Sequence, residues 1–238
     1  MQSYGELTTE EVAAINKEKT IVFLPVGAVE AHGPHLPLLT DFYQAEKVCA
    51  ELARHFNGIL APPIYYGNCS STRNFPGTIS ISVETLQSLV YDILSEFLRN
   101  GFRKFVLLTG HAGAAHMQAI AEACKRIVVS AGEDVRIMML SDYEIAYELR
   151  GVRFSPDDGH GGLIETARML ATKPELVRME KARTGSYRIP KFMVLKNPED
   201  YWDGFTGEPQ KATPELGREI DTYIIEKLAE LIKKNFGV

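Results

Sequence analysis

Five of the six histidines fall in three short, glycine-bearing segments that also carry carboxylates. GAVEAHGPHLPLLTD at 27–41 holds Glu30, His32, His35 and Asp41. GHAGAAH at 110–116 holds His111 and His116, and DDGHGGLIET at 157–166 holds Asp157, Asp158, His160 and Glu165. Imidazoles mixed with carboxylates, without a cysteine motif beside them, suit zinc, manganese or iron(II). Glu30 and His32 are two apart and cannot share a helix face; in an extended loop, ligands at that spacing can reach adjacent metals. A single loop histidine is ordinarily just hydrogen-bonded, and an acid at a helix start, such as Asp41 or Glu165, is ordinarily a cap. What points to a metal site is that all of them follow expected strands. His35 and Asp158 read as supporting groups, and His55, late in an expected helix, as a surface residue.

The elements that must position these groups are legible as apolar runs. IVFLPV at 21–26, KFVLLT at 104–109 and VRIMML at 135–140 are almost continuously apolar, the mark of parallel strands covered on both faces. GILAPPI at 58–64 reads as a fourth strand that Pro62 and Pro63 end early. Between them, Leu86, Leu89, Val90, Ile93, Leu94, Phe97 and Leu98 recur at helical spacing over 83–100, with Ser82 as N-cap. Segments 113–131 and 163–172 carry weaker helical patterns. Thr213-Pro214 opens a last helix expected to bury Leu216, Ile220, Ile224, Leu228 and Leu231 and to end at Gly237. Alternating strands and helices predict one domain over 1–238, a three-layer α/β/α sandwich with a mostly parallel central sheet. In such sheets the ligand site lies beyond the C-terminal strand ends, which is where the three segments fall. The stretch 184–212 lacks a period and reads as an excursion near the site or a subunit contact.

The chain has 238 residues, 45% hydrophobic and 24% charged, with 26 Lys and Arg against 31 Asp and Glu. This balance excludes a disordered or collagenous chain. Its net charge of −5 argues against a nucleic-acid partner, which needs clustered cations. No window is apolar enough for a membrane span, and the first twenty residues carry no signal-type stretch. Cys49, Cys69 and Cys124 are odd in number and without CxxC spacing, so they read as reduced structural thiols and the compartment as cytoplasmic. The loop after the first long strand carries acids and imidazoles instead of a phosphate-binding glycine loop, against a flavodoxin-like nucleotide binder.

Five segments in order resemble the creatininase (creatinine amidohydrolase) family: GAVEAHGPHLPLLTD, FPGTISIS at 75–82, LLTGHAG at 107–113, GHGGLIETARMLATKPELV at 159–177 and GEPQKATPELGR at 207–218. The resemblance spans nearly the whole chain. It implies an α/β/α sandwich, commonly hexameric, with two divalent ions per subunit, zinc with a second zinc, manganese or iron. Carried over by motif, Glu30, His32, Asp41, His111 and Glu165 match metal ligands with Asp41 bridging, and His160 matches a histidine that moves protons at the substrate. The implied reaction is attack of metal-activated water on the carbonyl of a small cyclic amide or formamide, a non-peptide C–N bond. Alternatives within the resemblance are a sugar-derived cyclic ketone or a peptide; a metal-stabilised scaffold without catalysis is the rival from another class.

Three departures bear on the substrate. Creatininase proper has a ligand glutamate where this chain has Gly113, and many relatives have asparagine where it has Ala114. The loop before FPGT often holds a histidine; here it is Thr72, followed by Arg73. Thr72, Arg73 and Trp202 are therefore expected at the substrate. Arg73 and Arg188 are candidates for an anionic group, and Tyr65, Tyr66 and Phe75 for walls.

Overall fold

Odd and even residues of the central strands point into two different cores. In the computed structural model, which describes residues 2–190 and 193–238, β2 (Ile21–Val26) and β4 (Lys104–Thr109) are the middle of the sheet. Ile21, Phe23, Val106 and Leu108 pack on one face, against α2 (Thr40–His55), α6 (Leu163–Thr172) and α7 (Pro214–Phe236). Val22, Leu24, Phe105 and Leu107 pack on the other, against α3 (Val83–Arg99) and α4 (Ala114–Ala131). Strands with both faces buried cannot alternate polar with apolar residues, which explains their unbroken runs.

The five-stranded sheet is parallel in every pair, in the order β1 (Gln2–Ser3), β3 (Ile59–Leu60), β2, β4, β5 (Arg136–Ser141). After β2 the chain turns to one side to form β3, then crosses back to form β4 on the other. The carboxyl ends of β2 and β4 thus flank a topological switch point, the place where open α/β sheets bind ligands. α1 (Thr9–Ala14) and α5 (Asp142–Ala146) complete the helices, and β6 (Gly185–Tyr187) pairs antiparallel with β7 (Trp202–Gly207) outside the main sheet. Among the described residues no helix is long and apolar enough to cross a membrane.

Several helix ends form as their residues dictate. Ser82 Oγ accepts from the Thr85 N–H, and Thr213 caps α7 by accepting from Leu216, with Pro214 in the first turn. Other expectations need correction. β5 is an edge strand, and Arg136–Met139 are not fully buried. The last helix buries Ile232 and Phe236, while Leu231 is exposed, because the apolar stripe drifts round a helix this long. The stretch 184–212 holds the β6–β7 hairpin; Lys191 and Phe192 lie outside the described residues.

Candidate metal centre

The five groups that the resemblance carries over as ligands are delivered to that switch point. Glu30 and His32 leave the loop after β2, His111 leaves β4, Asp41 sits in the first turn of α2, and Glu165 in the first turn of α6. All five are buried, none more than 6% exposed. Asp41 stands between two imidazoles: Oδ1 is 2.9 Å from His32 Nε2 and Oδ2 is 3.5 Å from His111 Nδ1. Glu165 Oε2 lies 3.4 Å from His32 Nε2, and Glu30 Oε2 lies 2.7 Å from His111 Nδ1. The arrangement is two His–carboxylate corners sharing one aspartate.

The far side of each ring is anchored, which fixes the nitrogen turned inward. His32 Nδ1 donates to the Glu30 carbonyl at 3.0 Å, leaving Nε2 toward Asp41 and Glu165. His111 Nε2 donates to the Asn68 carbonyl at 3.0 Å, leaving Nδ1 toward Glu30 and Asp41. Glu30 Oε2 and Asp41 Oδ2 are buried against His111 Nδ1 without meeting it in hydrogen-bond geometry, so a proton on His111 or a cation in its place must balance the two carboxylates.

Electrostatics follow from this crowding. Burial by itself would raise Glu30, but the facing charge of His111 holds it down at about 2. Burial would lower His32, but Asp41, then Glu165 and Glu30, push it up to about 10. By the same balance Asp41 is held well below the carboxylate range and His111 well above the imidazole range. Protons on the two rings thus occupy the donors for which divalent cations compete.

The remaining expected residues separate into those facing solvent-accessible space and those behind it. His160 stacks its ring 4.1 Å from that of His32, and its Nε2 lies 2.8 Å from the Ala31 carbonyl. It lines a pocket of about 250 Å³ bounded also by Glu30, Asp41, His111, Glu165 and Trp202. A larger cleft of about 920 Å³ adjoins it, with His160 and Trp202 common to both. Thr72 is not on either wall: it is buried and donates its hydroxyl proton to Glu30 Oε1, holding the carboxylate from behind. Arg73, Arg188, Tyr65 and Tyr66 are exposed and line neither space, and Phe75 packs edge-on against Trp202. His35 is a structural residue, its Nε2 2.8 Å from Thr166 Oγ1 and its pKa lowered to about 4 by burial and then by the His32 charge. Asp158 caps α6 through the N–H groups of Leu163 and Ile164.

Cys69, read from the sequence only as a structural thiol, lies beside the centre: Glu30, Cys69 and His111 each bring a donor atom within 4.8 Å of the others. Its neighbourhood was readable only through the same rule of looking past each strand, here β3. That rule also reaches Tyr143, which follows β5 and walls the pocket with Tyr147. Gly113, one of the departures from the family pattern, is tightly placed. A Cβ there would lie 2.5 Å from His111 Nε2, so a larger residue requires His111 to move.

Comparison with known proteins establishes the family and the fold. The creatinine amidohydrolase family model matches residues 5–232. The creatinine amidohydrolase of Pseudomonas putida is 27% identical across 98% of this chain and 96% of its own length. The mycofactocin precursor peptide peptidase of Mycobacterium ulcerans (strain Agy99) is 30% identical across 97% and 91%. A crystal structure of creatinine amidohydrolase superposes with a TM-score of 0.87 at 28% identity, covering 98% of this chain and 97% of that one. Creatininases solved in a manganese form and in a Zn–Zn form superpose at 0.85. The chain belongs to the creatininase family of hydrolases.

Proposed function

We propose that this protein is a two-metal amidohydrolase that cleaves a small cyclic amide or a formamide. The observation that carries the reading is Asp41 set between two imidazoles, with Glu30 Oε2 and Asp41 Oδ2 buried together against His111 Nδ1. The donor set fits a pair of divalent ions: His111 and Glu30 for one, His32 and Glu165 for the other, and Asp41 for both. When bound, such ions supply an acidified water as nucleophile and polarise the carbonyl under attack. The protein's own side chains do the rest. His160 is anchored through Nε2 on the Ala31 carbonyl, so Nδ1 is the nitrogen left to take the proton released by the attacking water and hand it to the departing amine. Tyr143, Tyr147 and Trp202 wall off a space of about 250 Å³, the scale of a small substrate. A peptide substrate is the second reading, favoured by the adjoining 920 Å³ cleft and by the peptidase relative.

Asp41→Ala tests the scheme. Its removal takes charge compensation from both ions, so elemental analysis is expected to find metal lost. Hydrolysis of any lactam or formamide that the wild type turns over should fall by about 10³-fold or more, the scale of removing a key stabilising group, with helical circular dichroism retained. Full metal content in that variant overturns the scheme.

A further inference from the structure

The 920 Å³ cleft meets the metal pocket at His160 and Trp202, and its charged groups sort by whether they already have partners. Arg153 is paired with Glu219, and Lys211 with Glu208 at 2.6 Å. The Asp158 carboxylate is taken up by two N–H groups at the start of α6, and Asp157 is exposed. Arg150 is different. Among the described residues its guanidinium forms no ion pair within 4.0 Å and makes no hydrogen bond, its Nε is buried without an acceptor, and the acid its charge acts on across the cleft, Asp158, is already held by the α6 N–H groups. The side chain is nevertheless held in place: its guanidinium carbon lies 4.1 Å from the centre of the Tyr147 ring, and Tyr147 itself borders the metal pocket.

The backbone around Arg150 is equally fixed. Its N–H donates to Tyr147 O at 3.1 Å, Gly151 N–H donates to Phe154 O at 2.8 Å, and Arg153 and Phe154 both donate to Leu149 O. A stacked, half-buried and unpaired guanidinium on a pinned turn is a forked donor prepared for a planar or tetrahedral oxyanion, with little ordering left to lose on binding. We propose that Arg150 is the anion-recognition residue of this enzyme, and that its substrate carries a carboxylate or phosphate group that lies in the cleft while the amide occupies the metal pocket. The proposal rests on the amidohydrolase reading for the amide but not for the anion. Arg73 and Arg188, the arginines that the sequence offered for this role, do not line the cleft.

Matched pairs of formamides test it: N-formylglycine against its methyl ester, and N-formyl-O-phosphoethanolamine against N-formylethanolamine. Binding to the metal-loaded protein is read by calorimetry, and hydrolysis of the same compounds by formate release, for wild type, Arg150→Gln and Arg150→Lys of equal metal content. At least one anionic member should bind wild type tenfold or more tightly than its neutral twin, the scale of one charge-assisted hydrogen-bonded pair. Arg150→Gln should erase that preference, and Arg150→Lys should keep part of it. The pair with the larger preference distinguishes phosphate from carboxylate. No preference in wild type, or one that survives Arg150→Gln because the metals alone create it, overturns the proposal. An Arg150-dependent preference without formate release keeps the anion subsite and counts against the formamide reading.

Discussion

His111 presents Nδ1 to the carboxylates because three residues behind it close a hydrogen-bonded ring with it. His111 Nε2 donates to Asn68 O at 3.0 Å, the Asn68 N–H donates to His116 Nδ1 at 3.2 Å, and His116 Nε2 donates to Thr109 Oγ1 at 3.0 Å. Thr109 returns its hydroxyl proton to the His111 carbonyl at 2.9 Å. His116 must be neutral to play both parts, and burial, followed by the His111 charge, lowers its pKa to about 3. His116→Leu leaves the Asn68 N–H without its acceptor, while Thr109 Oγ1 keeps its bonds to the His111 backbone, a cost of about 1–3 kcal/mol. It also frees the His111 ring, so chelator competition should show metal affinity about 10–100-fold weaker. His116→Gln, which can offer one donor and one acceptor, should recover part of both; unchanged affinity in the Leu variant would sink this positioning role. Position after a strand, a chain-local fact, made the three segments legible, while the choice of Glu30, His32, Asp41, His111 and Glu165 within them came from the resemblance. The work of His116 was not legible, since its acceptor role depends on Asn68, 48 positions away. Thr72 was misread for the same reason: its spacing to the FPGT motif says nothing of the carboxylate behind which it folds.

At the scale of elements, the centre exists because the start of α2 comes against the end of β4. Gly110 permits this: a Cβ there would lie 2.0 Å from the Asp41 carbonyl oxygen, a clash with backbone that no rotamer relieves. Gly110→Ala is therefore expected to cost about 1–3 kcal/mol, as overpacked sites do, and to shift Asp41 enough that metal content falls below the wild-type ratio. Gly5→Ala, whose Cβ would meet only Pro62 at 3.8 Å, should change neither quantity; thermal unfolding and elemental analysis of the two variants decide. The long elements were readable because their patterns average over many residues: β2, β4, α3 and α6 fall within a residue of the expected bounds. The short ones were not. β1 has two residues, α1 six polar-biased ones, and the β6–β7 hairpin contains a register irregularity, so none offers a full period. VRIMML is apolar as a central strand would be, yet it forms the edge, because apolar composition records cover in general and not which neighbour provides it.

Across the whole molecule, a second ion network holds the helices that carry the centre. Arg168 is fully buried on α6 and reaches Asp142 of α5 at 2.5 Å and Asp221 of α7 at 2.7 Å, and Lys47 of α2 joins Asp221 at 2.7 Å. Gln44 of α2 donates to the Glu165 carbonyl at 3.2 Å, so the elements bearing Asp41 and Glu165 are tied into one packed body. Such a body keeps its buried imidazoles and carboxylates close whether protons or cations neutralise them, and that gives the metal-free protein a defined pH dependence. His32 has a folded pKa of about 10 against an ordinary 6.5. Its contribution is therefore complete below pH 6.5 and is lost as pH rises from 6.5 toward 10, at up to about 1.4 kcal/mol per pH unit for one proton; His111, also raised, acts in the same direction. His35 and His116 have the opposite sign. With folded values of about 4 and about 3, they favour unfolding as pH falls below 6.5, because the unfolded chain takes up protons that the buried rings refuse. Glu30, held at about 2 against 4.5, adds to the acid-side loss once pH drops below 4.5. The metal-free protein should thus be most stable near pH 6.5 and lose stability on both sides. Divalent ions replace the protons on His32 and His111, so loading should abolish the alkaline loss while leaving the acid limb, where His35 and His116 act, in place. Urea unfolding of chelated and metal-loaded protein at pH 5, 6.5 and 9 measures this; equal stability of the two forms at pH 9 would refute the idea that cations and protons share these donors.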